Sequence, residues 1–210
     1  MQANQKVRRS QFDRTAETQS VLIAATVHLL ASLGFAKTTT QLIAKEAGVT
    51  TGALHHHFAT KDDLMLAVLD RSSILVEERL EAEASAPLTG QAAIREVVDH
   101  LWQIYGQADY WAVWEIIIGT RSNPELHRSV LQHRSESMAA IVLPWLRRIE
   151  GLAGSTSAGA ETLEFMLIAV RGLSLERFMD KDAAYFDKHL SILADFVGFR
   201  LQAEQDHPSG

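Results

Sequence analysis

Apolar side chains recur at helical spacing from the start of the chain. Leu22, Thr26, Leu29, Leu30 and Leu33 share one face, and Gly34 follows as a natural helix terminator. The next stretch, TTTQLIAKEAGV, predicts a second and shorter helix. Thr38 with Gln41 three residues on reads as a reciprocal N-terminal cap, Leu42 and Ile43 lie just inside, and Gly48 stops the helix. After a tight turn, either Thr50 or Thr51 can cap a third helix that runs through His55 and His56 to about Phe58. Thr60 and Asp63 form another capping pair, which opens a long fourth helix through LMLAVLDRSSILVEERLEAE.

From about residue 90 the pattern predicts five more helices. Ile94, Val97, Val98, Leu101, Ile104 and Tyr105 keep helical period in the first of them. Tyr110 to Ile118 is apolar almost throughout, which predicts a helix buried on all sides. The exception there is Glu115, a carboxylate that needs a partner, since burying an unpaired charge is costly. Asn123 and Pro124 suit the cap and first turn of the next helix, expected to kink at Pro144 and stop at Gly151. GSTSAGA (154–160) reads as a flexible connector, followed by two last helices. The predicted class is all-α with about nine helices.

Composition adds two exclusions and one asymmetry. Hydrophobic residues make up 47% and charged residues 22%, ordinary for a globular protein. The absence of cysteine excludes disulfides, zinc–thiolate sites and cysteine nucleophiles. VLIAATVHLLASLGFA superficially resembles a signal peptide. It starts late, follows Asp13 and Glu17, contains His28, and is short for a bilayer span, so an amphipathic first helix and a cytoplasmic protein without a membrane partner are expected. The net charge is −6, yet residues 1–61 carry +4 and the rest −10. A basic head on an acidic body suggests that one end meets an anion.

Two short helices joined by a glycine-containing turn make a helix-turn-helix, whose second helix enters the DNA major groove. The chemistry agrees. Threonine hydroxyls, helix N-termini and a lysine suit phosphate oxygens, and Gly52 lets backbone come close to DNA. Adjacent helical residues point about 100° apart, so His55, His56 and His57 cannot converge on one metal. They read instead as groove or phosphate contacts, with solvated surface histidines as the plainer alternative. The arm QANQKVRR either trails into a minor groove or has no role.

The stretch GFAKTTTQLIAKEAGVTTGALHHHFATKDDL (34–64) resembles the TetR family of one-component transcriptional regulators. Gly34, Phe35, Thr38, Thr39, Ile43, Ala44, Ala47, Gly48, Val49, Thr50, Gly52, Leu54, Phe58, Lys61, Asp62 and Leu64 fit that family's pattern in register. His55 stands where the family usually has tyrosine. The resemblance implies DNA-backbone contacts from Thr39 and Thr40. It implies groove-facing Thr50, Thr51, Gly52 and His55, with His56 and Lys61 on phosphates. Leu42, Ile43, Ala47, Val49, Leu54 and Phe58 would form the module's small core. Pure helix capping is the alternative for Thr38, Thr50 and Thr60.

The expected organisation is a DNA-binding domain over 1–59, with its recognition helix at about 50–57, and an effector-binding and dimerisation domain over 60–210. A connecting helix would cover 60–84, and interface helices would lie within 160–203. The last two helices carry two apolar stripes, more than one intramolecular core needs. The resemblance implies a four-helix dimer interface there, to which Leu167, Val170, Gly172, Phe186, Leu190, Leu193 and Val197 are assigned. Ile192, Phe196 and Phe199 form the second stripe. Candidate ligand-binding residues are Trp102, Tyr105, Trp111, Trp114, Glu115, Arg121, Met166 and Arg171, an aromatic concentration with a few polar anchors. Ordinary core packing is the alternative for the aromatic stripe.

The function expected from these features is a homodimeric repressor that binds palindromic double-stranded operator DNA and is released by a small apolar or amphipathic effector. No cofactor, metal or catalytic residue is assigned. An enzyme using Glu115 with His100, or His127 with His133, is the competing class, although no nucleophile elbow, Gly-rich phosphate loop or metal spacing is present. A DNA-binding organiser without an effector is the third.

Overall fold

The computed structural model describes residues 11–82, 90–145 and 157–206. Among them there are nine α-helices and no strand: α1 (Gln11–Leu33), α2 (Thr40–Glu46), α3 (Thr51–His57), α4 (Lys61–Ala82), α5 (Gly90–Tyr105), α6 (Trp111–Gly119), α7 (Pro124–Ser137), α8 (Ser157–Leu175) and α9 (Ala183–Asp206). The chain packs as two compact units. One reaches to Arg71 and takes in Trp111–Leu131; the other comprises Ser72–Tyr110 and the chain from Gln132 onward. The proposed arm and the stop at Gly151 lie outside the described residues.

In the first unit, α1 packs against α2, α3 and α6, and α2 against α3. Leu22, Leu30, Ile43, Leu54 and Leu64 are fully buried there, removing from water the apolar faces that short helices cannot stabilise alone. Helix α1 is long and apolar enough to cross a membrane by composition. Its apolar face is instead the core of this unit, with Leu22, Ala25, Leu29 and Leu30 buried.

Local signals mark most helix ends. Gly34 takes a left-handed φ of 82° and its N–H donates to the Leu30 carbonyl, closing α1. Thr39, not Thr38, caps α2: its hydroxyl accepts from the Leu42 N–H. Thr38 is buried, and both its N–H and its hydroxyl donate to the Gly34 carbonyl, which closes the tight turn after α1. Leu42 lies on the outer face of α2, and Ala44 fills the core position beside Ile43. Thr50 caps α3, and Thr60 and Asp63 cap α4 reciprocally.

Helix α6 departs from the expectation of burial all round. Ala112, Val113 and Ile116 are buried, whereas Ile118 is 51% exposed. An apolar composition does not decide how many faces find neighbours, and within this unit the side carrying Ile118 finds none among the described residues. Asn123 caps α7 through the Leu126 N–H.

In the second unit, α5, α8 and α9 pack mutually around Val98, Leu101, Met166, Val170, Leu190 and Val197. Before Pro144, where a kink was expected, the helix widens into a π turn over Met138–Val142. Pro144 has no N–H for the ordinary ladder, and the Leu143 N–H reaches back five residues to the Met138 carbonyl. Helix α8 begins at Ser157, inside the stretch expected to be a flexible connector. Gly159 is buried in that first turn, so packing outweighs the low helix propensity of glycine.

Candidate nucleic-acid interface and ligand cleft

Helices α2 and α3 are joined by a four-residue turn, Ala47–Thr50, whose geometry is set by Gly48. Gly48 sits at φ 68°, its N–H donates to the Lys45 carbonyl, and the Val49 N–H donates to the Ala44 carbonyl. This double closure ends α2 and turns the chain directly into α3. Leu54 and Phe58 bury the inner face of α3. Gly52, His55 and His56 lie on its outer face, with Thr51 half-buried at its first turn.

The candidate contacts divide into hydroxyls with a structural task and hydroxyls without one. Thr39 and Thr50 are exposed and also cap their helices. Thr40 and Thr51 stand next to those caps with no capping bond of their own. A Cβ placed on Gly52 would meet only Thr50 Oγ1, at 3.9 Å, so nothing inside the fold demands glycine there. His55 Nδ1 donates to the Ala59 carbonyl at 3.3 Å, because only a protonated ring nitrogen can bond to a carbonyl oxygen. This tautomer leaves Nε2 pointing away as an acceptor, which becomes a donor when the ring is charged. His56 and His57 meet edge to face at 5.5 Å.

Lys61 is tied to the fold. Its ammonium donates to the Phe35 carbonyl at 2.9 Å and lies 4.1 Å from the centre of the Phe35 ring. Burial pushes its pKa below the usual lysine value, partly opposed by neighbouring Asp62. Two of its three N–H donors remain for an anion.

Glu115 on α6 holds the other side of the same turn. The Phe35 N–H donates to Oε2 at 2.9 Å, and the Trp111 indole N–H donates to Oε1 at 3.1 Å. Gly119 presses on Phe35 so closely that a Cβ there would lie 2.3 Å from the ring. Phe35 is therefore gripped by Lys61, Glu115 and Gly119, joining α6 to the end of α1. The partner that Glu115 required is a backbone amide and an indole.

Of the remaining ligand candidates, Trp111, Trp114, Glu115 and Arg121 belong to the first unit, and Trp102, Tyr105, Met166 and Arg171 to the second. Trp102 stacks on Phe186 at 4.9 Å, and Met166 is fully buried. Tyr105 alone among the eight lines the described cleft, a narrow one that opens partly to solvent and has about 10 Å³ of space, room for roughly one water. Val76, Met138, Ile141 and Val142 form its apolar walls, and Ser73, Arg134 and Ser137 join Tyr105 on its polar side. These seven were not signalled by sequence spacing, because they come from α4, α7 and the π turn.

Leu167, Val170, Phe186, Leu190 and Val197 are buried within the chain itself, Leu193 is half-buried, and Gly172 is exposed. The apolar side chains that α8 and α9 leave exposed are Phe165, Ile168, Ile192, Phe196 and Phe199. Among the described residues no group of three or more His, Cys, Asp or Glu gathers to hold a metal ion.

Residues 22–68 match the family profile described as bacterial regulatory proteins, tetR family. The chain is 26% identical over 181 residues to the HTH-type transcriptional regulator CymR of Pseudomonas putida, covering 86% of this chain and 89% of that one. Among solved structures, a transcriptional regulator from Rhodococcus sp. Rha1 superposes with a TM-score of 0.69 at 24% identity, over 88% of this chain and 96% of its own. GusR of Salmonella enterica gives 0.67 at 19% identity, over 89% and 94%. The solved structures show the shared fold, while the profile covers the entire α2–turn–α3 module. Residues 22–68 thus carry the DNA-binding module of the tetR family of bacterial regulatory proteins, and over most of its length the chain is similar to an HTH-type transcriptional regulator.

Proposed function

We propose that the protein is a cytoplasmic, homodimeric repressor that binds a palindromic operator through α3 and lets go when a small molecule binds the second unit. The carrying observation is the outer face of α3: Thr51, Gly52, His55 and His56 stand at the surface of a helix whose inner face is locked by Leu54 and Phe58. Thr39, Thr40 and Thr50 flank it with hydroxyls, and Lys61 offers an ammonium for phosphate.

Dimerisation is supported by the exposed apolar face of α8 and α9. Phe199 is 72% exposed and Ile168 57%, and contiguous apolar surface of this kind marks an interaction site. The interface of this proposal runs through Phe165, Ile168, Ile192, Phe196 and Phe199, with Gly172 and Leu193 at its margin. The other interface candidates support it from beneath. Two α3 helices would then read half-sites about 34 Å apart or a multiple of one DNA turn.

Helix α4 supplies the route from ligand to DNA. It runs unbroken from Lys61, beside the reading head, to the cleft residues Ser73 and Val76. A ligand that displaces α4 changes the separation of the two heads, and a coupling of about 1–3 kcal/mol suffices for regulation.

The test is a titration of an inverted-repeat duplex, recovered by selection from random DNA, at several salt concentrations. Two chains should bind per duplex, and affinity should fall steeply with salt. One chain per duplex with full affinity overturns the dimeric reading. Lys61→Ala should weaken binding to all sequences alike and reduce the salt slope by about 1.

A further inference from the structure

We propose that Glu115 is a positioning residue for DNA binding: acting through the main chain of Phe35, it holds the Lys61 ammonium in the place where a phosphate meets it. The proposal rests on the DNA-contact role given to the first unit and goes further by naming a residue that acts there without touching DNA.

The main chain of Phe35 is held on both sides. Its N–H donates to Glu115 Oε2 at 2.9 Å, and its carbonyl accepts from Lys61 Nζ at 2.9 Å. The other carboxylate oxygen accepts the Trp111 indole N–H at 3.1 Å, which fixes Glu115 on its own helix. Gly34 lets the carboxylate in, since a Cβ there would lie 3.2 Å from Oε2. The Phe35 ring is fixed as well. Gly119 presses against it, and the Lys61 ammonium lies 4.1 Å from its centre.

Glu115 reaches Lys61 only by this route. Burial and the adjacent Asp62 are what act on the Lys61 charge itself. The hydrogen bonds therefore run from Trp111 through Glu115 and Phe35 to Lys61, joining α6 to the first residue of α4.

A free lysine samples many rotamers, and ordering it against an anion costs conformational entropy. Here the fold has already ordered the side chain, and two N–H donors remain for a phosphate. Releasing the Phe35 amide loosens the carbonyl and the ring that seat the ammonium. The sign of the effect is diagnostic. Removing a carboxylate from a protein that binds a polyanion raises affinity by charge alone. Positioning predicts a fall.

The experiment is a double-mutant cycle on the full chain, titrating the selected inverted-repeat duplex at fixed salt with every variant checked for folding by circular dichroism. Glu115→Ala should weaken binding at least about threefold with Lys61 present and by less than about 1.5-fold in a Lys61→Ala background, as for side chains coupled in one network. Glu115→Gln keeps one acceptor oxygen for two donors and should show the same dependence on Lys61, at about twofold or more. A loss of equal size with and without Lys61 makes Glu115 a structural residue only and overturns the proposal. So does an affinity that stays level or rises in Glu115→Gln, or a Lys61→Ala protein that binds as tightly as the wild type. A wild type that selects no duplex removes the DNA-contact reading of the first unit, and the proposal with it. Should Glu115→Ala not fold, the Glu115→Gln cycle decides alone.

Discussion

Glu115 sits among apolar neighbours on α6, yet both its carboxylate oxygens are satisfied by N–H donors from Phe35 and Trp111. Glu115→Ala strands the half-buried Phe35 amide and should lower unfolding free energy by about 1–3 kcal/mol in a urea titration. Glu115→Gln keeps one acceptor oxygen and should cost less. Equal losses for the two would mean that packing rather than hydrogen bonding sets the contribution. The sequence made the need for a partner legible. It did not reveal which partner, because a backbone amide 80 positions away leaves no trace in side-chain spacing. Tyr105 carries a pH signature. Its folded pKa is raised, first by burial and then by Tyr110, so its contribution is intact below the ordinary value of 10 and is lost as pH rises beyond it. Lys61, with a lowered pKa, acts with the opposite sign: stability rises with pH between its folded pKa and the ordinary 10.5. Thermal melts in the alkaline range should therefore fall less steeply for Tyr105→Phe than for the wild type, and parallel curves would remove Tyr105 from that account.

Among the elements, α3 separates stability from DNA affinity. Thr50 caps it, so Thr50→Ala should cost about 1 kcal/mol of stability as well as affinity. Thr51 has no capping bond, so Thr51→Ala should leave the melting temperature nearly unchanged and weaken DNA binding. Gly52→Ala is sharper still. The added methyl meets open space and improves helix propensity, so stability should hold or rise by up to about 1 kcal/mol while affinity drops. Unchanged affinity for both Thr51→Ala and Gly52→Ala would take the outer face of α3 out of the DNA contact. The helix-turn-helix was legible because its signals are local: Gly34, Gly48, Thr50 and the Thr60–Asp63 pair act within a few residues of themselves. The cap of α2 falls on Thr39 rather than Thr38 because Thr38 is buried with its hydroxyl on the Gly34 carbonyl four residues back, and burial depends on the packed unit rather than on spacing. The partial exposure of α6 had the same origin, since composition specifies an apolar helix but not how many of its faces find neighbours.

At the scale of the whole molecule, charge, apolar surface and fold agree. The basic head carries the reading helix, and the acidic remainder carries the exposed apolar face of α8 and α9. Helical periodicity identified two stripes on α9 but could not rank them; the stripe with Phe186, Leu190 and Val197 closes the chain's own core, leaving Ile192, Phe196 and Phe199 outward. Ile192→Glu should therefore give a folded monomer in sedimentation velocity, because the side chain is 55% exposed within the chain and its replacement disturbs no core. A dimer that survives both Ile192→Glu and Phe199→Glu would place the interface elsewhere. The cleft of the second unit was the least legible feature. Its lining is assembled from α4, α5, α7 and a π turn, and only Tyr105 stood out in the pattern.

The central claim is that this chain reads DNA sequence through α3, and selection of bound duplexes from a random library by the purified protein at fixed salt tests it most directly. The wild type should enrich an inverted repeat, and a folded Thr51→Ala/His56→Ala variant should enrich none. No enrichment by the wild type, or the same repeat recovered by both proteins, would contradict it.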